Sequence, residues 1–173
     1  MKALFVDRDG VINKLKVGGY ITTPSEFIVL PDVFPLLTHA HQHGYLIIVA
    51  SNQQGVGKGL MTDADLQAVH TFMQDELRSA LGFGVDAAYY CTDLAGTGSV
   101  RRKPAPGMLL DAIREYQLQP VHCWFVGDSV TDAAAGHAAG VHTALVGPHN
   151  PTDATIVAPN LNLLTSALIP HLR

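Results

Sequence analysis

Asp7 and Asp9 stand two residues apart, directly after the apolar run Leu4-Phe5-Val6. Where a chain leaves a strand, such a pair can face one small volume. One carboxylate can then serve as nucleophile and the other as general acid and base, roles that need two different environments. Asp128 ends a second apolar run, Trp124 to Gly127, with Asp132 four residues on. It supplies the further oxygen donor that a hard Mg²⁺ ion takes while keeping several waters. Ser51 and Asn52 end the run Tyr45 to Ala50, and Lys103 closes the basic run Arg101-Arg102-Lys103. A hydroxyl and a point charge suit the equatorial oxygens of a transferring phosphoryl group. Each element is common by chance, since Asp-x-Asp, Ser-Asn and Gly-Asp all serve as ordinary turns or caps. Their joint occurrence, each at the end of a strand-like run, is a set of parts for phosphoryl transfer, and without a cation its carboxylates would repel a phosphate.

Those strand ends need a scaffold. Apolar runs of strand length occur at Leu4–Val6, Tyr45–Ala50, Val85–Tyr90, Trp124–Val126 and Thr143–Val146, separated by helical patterns at about 33–43, 62–81, 106–117, 131–139 and 160–169. In the second helix Thr62 and Asp65 have capping-box spacing, and Leu66, Val69, Met73 and Leu77 recur near helical periodicity. Alternating strands and helices predict an α/β fold, a three-layer Rossmann-like parallel sheet with helices on both faces. Ligands of such sheets bind beyond the carboxyl ends of the strands. Two segments break the rhythm: Val11 to Pro24, with Gly18-Gly19, reads as a flap, and Thr92 to Pro106 as a long loop.

The chain has 173 residues, with 11 Lys or Arg against 15 Asp or Glu, a net charge of −4. The length fits one domain over 1–173 with a full core and no need of disulfides, so Cys91 and Cys123 are expected as reduced thiols. The small acidic balance argues against nucleic acid, whose binding draws on many Lys and Arg contacts to phosphate. The apolar start is too short for a signal peptide and no window approaches a membrane span, so a cytoplasmic monomer with no membrane partner is expected. His39, His41 and His43 fall near a helix C-terminus, where the dipole suits them, and are expected in solvent rather than on a metal. Trp124 is expected in the core.

Four segments together resemble the haloacid dehalogenase (HAD) superfamily. Phe5-Val6-Asp7-Arg8-Asp9-Gly10-Val11-Ile12-Asn13 is similar to its first motif and Ala50-Ser51-Asn52-Gln53-Gln54-Gly55-Val56-Gly57-Lys58-Gly59 to its second. Arg102-Lys103-Pro104-Ala105-Pro106-Gly107-Met108-Leu109 resembles the third, and Val126-Gly127-Asp128-Ser129 through Asp132 to Gly140 the fourth. The resemblance covers about residues 3 to 146 and is nearest to the branch of heptose bisphosphate and histidinol-phosphate phosphatases. It implies an aspartyl phosphate on Asp7, proton transfers by Asp9, and Mg²⁺ held by Asp7, the Asp9 backbone carbonyl and Asp128. Ser51 and Lys103 would steady the phosphoryl group, and Arg102, Gly19, Tyr20, Asn52, Gln53 and Gln54 would meet the rest of a small phosphorylated metabolite. Removal of the 7-phosphate of D-glycero-D-manno-heptose 1,7-bisphosphate is the leading expectation, with histidinol phosphate or another sugar or polyol phosphate as the alternative.

Heptose phosphatases of this branch commonly carry structural zinc on Cys-x-His and Cys-x-Cys. Here Cys91 is followed by Asp93 at the histidine position, and Ser99 and Arg101 stand at the cysteine positions. One thiolate cannot close a four-ligand site, so no zinc is expected. Ser129 and Lys58 also replace the usual Lys and Arg, the latter exchanging a fork for a point charge. The intervals from Asp7 to Ser51 and from Ser51 to Lys103 are filled by core elements and leave no room for a cap domain. More distant readings are a nucleic-acid 3′-phosphatase, and a receiver-like phosphoacceptor, in which the acids and hydroxyl come in a different order along the strands.

Overall fold

A computed structural model describes residues 1–173. Its six strands form one parallel sheet in the order β3-β2-β1-β4-β5-β6, with β1 at Ala3–Val6, β2 at Leu46–Asn52, β3 at Ala87–Cys91, β4 at Trp124–Gly127, β5 at His142–Val146 and β6 at Ile156–Ala158. The helices are α1 (Phe34–Gln42), α2 (Gln54–Gly57), α3 (Asp63–Leu81), α4 (Gly107–Glu115), α5 (Val130–Ala138) and α6 (Leu161–Leu168).

The strand residues explain the three layers. All four residues of β1 and of β4 are buried, as strands covered on both faces require. Alternate side chains then divide between the two sides. Leu4, Val6, Ile47, Val49, Trp124 and Val126 pack in one cluster with Leu36 and Leu37 of α1, Val69, Met73 and Leu77 of α3, and Leu164 and Leu168 of α6. Ala3, Phe5, Ile48, Ala50 and Phe125 pack on the other side with Met108 and Leu109 of α4 and Ala135 of α5. The register agrees, since Leu4 faces Ile47 while Phe5 faces Ile48. Each large apolar side chain so buried contributes about 1.5–3 kcal/mol.

The predicted elements are present with shifted ends. Thr62 and Asp65 form the expected capping box, with Asp65 N donating to Thr62 Oγ1 at 3.1 Å and Thr62 N to Asp65 Oδ2 at 2.8 Å. β2 runs past Ala50, so Ser51 and Asn52 are the last strand residues, paired with Tyr90 and Cys91. Two elements escaped the sequence reading, the short β6 and the single turn α2. The flap is also longer than expected: Lys14 N donates to Ile28 O and Leu30 N to Ile12 O, both at 2.8 Å, so its return arm reaches residue 30. Its buried Ile12, Ile21 and Phe27 root it in the α1/α3/α6 core.

Trp124 is 5% exposed, in the core as expected. His41 and His43 are exposed at the end of α1, as expected, while His39 is half-buried with its Nε2 3.0 Å from Leu172 O, and the His41 ring stacks on Phe83 at 4.0 Å. These contacts tie α1 to the C-terminal segment and to the residues after α3. Cys91 and Cys123 are both buried free thiols. No helix is long and apolar enough to cross a membrane.

Candidate active site

β1 lies between β2 and β4, so the helix crossovers change direction at the β1/β4 boundary, where ligands of open α/β sheets bind. Asp7 follows β1 and Asp128 follows β4, one on each side of that boundary. Asp7 N donates to Val126 O at 2.9 Å, which extends the pairing of the two strands by one residue. Above them a cavity of about 180 Å³ is lined by Asp7, Asp9, Asp128, Ser51 and Asn52, with Gly19 and Tyr20 of the flap on its far wall. A larger cleft of about 570 Å³ lies at the opposite ends of the strands, by Lys2, Tyr45, Trp124 and His142. It contains no Asp or Glu side chain and belongs to the end of the sheet where this architecture places no chemistry.

Lys103 is 3% exposed and lies beneath the cavity. Its Nζ is 3.0 Å from Asp7 Oδ2 and 2.6 Å from Asp132 Oδ1, and it donates to Ala50 O at 2.9 Å. All three ammonium donors are therefore filled. Burial alone would depress this lysine, but the charges of Asp7 and Asp132 outweigh it and hold the ammonium above its usual range. The backbone is fixed too: Lys103 N donates to Asn52 Oδ1 and Asn52 Nδ2 to Lys103 O, both at 3.1 Å. Asn52 thus fastens the end of β2 to the basic run as well as facing the cavity.

Asp132 is the contributor whose role the spacing did not disclose. Its Oδ2 accepts from Asp128 N at 3.2 Å and Ser129 N at 3.0 Å, while Ser129 Oγ accepts from Thr131 N at 3.3 Å. Ser129 is the N-cap of α5, which accounts for a small hydroxyl residue in place of lysine. A Cβ on Gly127 would meet Asp132 Cβ at 2.3 Å, so glycine there is what allows Asp132 under the strand end.

Oxygens of Asp7, Asp128 and Asp132 all come within 4.8 Å of one another. Burial first, then the charges of Asp7 and Asp132, push the Asp128 carboxyl up to about 7, against the pull of Lys103. Three converging carboxylates with one ammonium leave an excess of negative charge that a divalent cation would offset, so the donor set fits Mg²⁺. Asp132 is already committed to Lys103 and two amides. Asp7 also pairs with Lys103, but Asp7 and Asp128 line the cavity and Asp132 does not, so these two are the carboxylates placed to face an ion.

Other predicted residues take different places. Gln53, expected on the substrate, is 1% exposed beneath the cavity, where Nε2 donates to Asp9 Oδ2 at 2.8 Å and Ser51 Oγ at 3.1 Å. Gln54 bridges the rim: Nε2 donates to the Tyr20 hydroxyl at 2.8 Å and Oε1 accepts from Ala95 N at 3.0 Å. The Lys58 ammonium, 5.3 Å from the Tyr20 ring centre, and then Gln54 hold the Tyr20 hydroxyl below its usual range. Arg102 lines a neighbouring cleft of about 520 Å³ under the 94–100 loop, with Lys103 common to that cleft and the floor of the site.

At the positions where the resemblance implied zinc ligands, side chains bond to one another. Ser99 Oγ donates to Asp93 Oδ2 at 2.5 Å and accepts from Arg101 N and Arg102 N, each at 3.2 Å. Cys91 Sγ lies 3.5 Å from Asp93 Oδ2, and Arg101 pairs with Asp111 of α4. The donors gathered there are one thiol, a hydroxyl and a carboxylate, with a guanidinium at the fourth position.

The profile of the haloacid dehalogenase-like hydrolases matches residues 1–140. A heptose bisphosphate phosphatase of Helicobacter pylori, D-glycero-beta-D-manno-heptose-1,7-bisphosphate 7-phosphatase, is 35% identical over 150 residues, spanning 87% of this chain and 86% of that protein. The Burkholderia mallei enzyme named for the alpha anomer is 36% identical, with 84% and 79% covered. Among solved structures, D,D-heptose 1,7-bisphosphate phosphatase of B. bronchiseptica, in complex with magnesium and phosphate, superposes with a TM-score of 0.86 at 31% identity, covering 98% of this chain and 99% of that one. With a matched profile over most of its length and the acids, hydroxyl and lysine gathered at one sheet boundary, this chain belongs to the haloacid dehalogenase-like hydrolase family.

Proposed function

We propose that this single-domain chain, acting as a monomer, hydrolyses a small sugar phosphate through a phosphorylated Asp7, with the 7-phosphate of D-glycero-D-manno-heptose 1,7-bisphosphate as substrate. The observation that carries the reading is the convergence of Asp7, Asp128 and Ser51 on one cavity with Lys103 beneath it. An Asp7 oxygen attacks phosphorus and the bond from phosphorus to the sugar oxygen breaks, that oxygen taking its proton from Asp9. Asp9 then removes a proton from water, whose oxygen attacks phosphorus, and the bond to Asp7 breaks to release phosphate. Ser51 donates to a phosphoryl oxygen, free to do so because its own acceptor site is filled by Gln53. Lys103 supplies fixed positive charge beside Asp7, where charge builds in the transition state. Mg²⁺, held by the Asp7 and Asp128 carboxylates and the Asp9 backbone carbonyl, would offset the carboxylate charge that otherwise repels a phosphate.

The rim favours a second anion. Lys58 lies beside Tyr20, which is on the wall of the cavity, with Arg102 close enough to bear on the Tyr20 hydroxyl, while Lys16, also on the wall, is paired with Glu26. A bisphosphate meets attraction there, whereas histidinol phosphate would bring its ammonium against like charge. Tyr20, Gly19, Asn52, Gln54 and Arg102 are the residues proposed to meet the sugar and its other phosphate. The reading is tested by phosphate release with Mg²⁺ from both anomers of the heptose bisphosphate, histidinol phosphate and a panel of sugar monophosphates. The heptose bisphosphates should give the highest kcat/KM, and Asp7→Asn should abolish turnover. Substantial activity in that variant defeats the covalent mechanism, and a preference for histidinol phosphate defeats the substrate assignment.

A further inference from the structure

An arginine between two acids at a strand end would ordinarily reach for solvent. Arg8 does the reverse and is fully buried. Its Nη2 donates to Asp9 Oδ2 at 2.9 Å and to Asp9 Oδ1 at 3.1 Å, and its Nε to Asp9 Oδ1 at 3.3 Å. The same Nη2 lies 3.0 Å from Gln53 Oε1, and Gln53 returns its amide to Asp9 Oδ2 and Ser51 Oγ. Asn13 Nδ2 donates to Asp9 Oδ1 at 2.9 Å. From below, the guanidinium carbon sits 6.0 Å from the Tyr90 ring centre, and the Tyr90 hydroxyl is 2.9 Å from His70 Nδ1. Both Asp9 oxygens are thus gripped, yet its side chain keeps 22% exposure, on the wall of the cavity.

A buried guanidinium is costly and an apolar side chain would fill the space more cheaply, so its presence calls for a polar duty. The fork supplies one. Two or more N–H groups in a rigid plane fix the plane of a carboxylate, which a lysine ammonium cannot do. We propose that Arg8, seconded by Gln53, is the positioning residue for Asp9: it sets the direction of the Asp9 carboxyl relative to the Ser51 hydroxyl, so that the group moving protons and the group holding the phosphoryl oxygen are aligned as a unit. The proposal rests on the hydrolytic reading above, in which Asp9 serves twice, protonating the leaving oxygen and then activating water. Displacing a catalytic group by about 1 Å can cost on the order of 10²-fold in rate.

The two uses of Asp9 can be separated with p-nitrophenyl phosphate, whose leaving group departs without a proton. In Arg8→Lys the first nitrophenolate should appear in a burst within about threefold of the wild-type rate, with KM similarly unchanged. The following steady state should slow by on the order of 10²-fold, the range for general acid–base catalysis. Intact-protein mass spectrometry should then find phosphorylated chain accumulating. On a sugar phosphate, which needs the acid, no burst should appear. Gln53→Met, which keeps its bulk and loses the contacts to Arg8, Asp9 and Ser51, should also accumulate phosphorylated chain, with a slower burst because Ser51 loses its partner, and it carries the test if Arg8→Lys fails to fold. A merely structural role predicts burst and steady state falling together, with no phosphorylated chain; that outcome, or unchanged turnover in a folded variant, overturns the proposal. If the wild-type chain with Mg²⁺ hydrolyses no phosphate monoester, the functional reading fails instead.

Discussion

Lys103 Nζ lies closer to Asp132 Oδ1, at 2.6 Å, than to Asp7 Oδ2, at 3.0 Å. The lysine beside the proposed nucleophile is therefore anchored from α5, a helix that does not face the cavity. Asp132 in turn is held by the amides of Asp128 and Ser129, so the cap of α5 and the floor of the site form one network.

Removing that ammonium should destabilise the fold as well as stop the chemistry. Lys103→Met leaves two carboxylates under the cavity without their shared cation, and breaking a buried pair from one side costs about 3–5 kcal/mol. Urea denaturation should show a loss of that size at pH 7.5, shrinking toward pH 5 as the stranded acids take up protons in the folded state. A variant as stable as wild type at pH 7.5 would refute the coupling.

Asp128 gives the site a pH signature. A carboxyl raised from 3.8 to about 7 in the fold keeps its proton after the unfolded chain has released one, so in metal-free protein its contribution to stability falls as pH rises between those values. Mg²⁺ must displace the same proton. Titration calorimetry should find Mg²⁺ affinity nearly constant above pH 7.5 and weakening toward tenfold per unit below about 6.5. Affinity flat from pH 5.5 to 8.5 would contradict the assignment of Asp128 as the ligand.

Gly10 has φ +87°, and a Cβ there would meet Asp128 Oδ2 at 2.0 Å. Gly18 has φ +70° with nothing within 4 Å. Both alanine variants should lose about 1–2 kcal/mol to the left-handed backbone, but only Gly10→Ala should also displace Asp128 and weaken Mg²⁺ binding severalfold or more. Equal metal affinity in the two variants would show that the close approach has no bearing on the ion.

The loop over the second cleft should depend on a hydroxyl and not on a metal. Ser99→Ala removes the donor to Asp93 and the acceptor for the Arg101 and Arg102 amides, contacts worth about 1 kcal/mol each. Hydrogen exchange should quicken across 94–102 and KM should rise severalfold with kcat nearly held. A zinc-selective chelator should leave the melting temperature of the wild type unchanged; a lowered one would mean that the loop binds metal after all.

The sequence by itself determined the layers and the chemistry. Apolar runs such as Leu4-Phe5-Val6 and Trp124-Phe125-Val126 have no alternation because both faces of those strands are covered, and that is a local property of the residues. The placement of Asp7, Ser51 and Asp128 at the carboxyl edge of the sheet was legible because each ends or directly follows such a run, and a residue leaving a strand there has few places to go; Asp9 lies two residues on, and Lys103 is carried by the basic run past the end of β3. Other features depended on partners far along the chain. Gln53 reads as one more polar residue near a substrate, yet the turn into α2 aims it inward, where Arg8 and Asp9 await it. Nothing in the spacing marks Arg8 as buried; Tyr90 and Gln53, brought in by β3 and β2, enclose it. Asp132 looks like one half of a helix cap, and only the placement of α5 beneath β4 and beside Lys103 gives its second oxygen a role. β6 and α2 were too short to leave a pattern. Spacing along the chain fixes which residues emerge together at strand ends, whereas which of them face the cavity and which brace it from below follows from helix packing against the sheet, a relation between residues far apart in the chain, as Arg8 and Gln53 are, and Lys103 and Asp132.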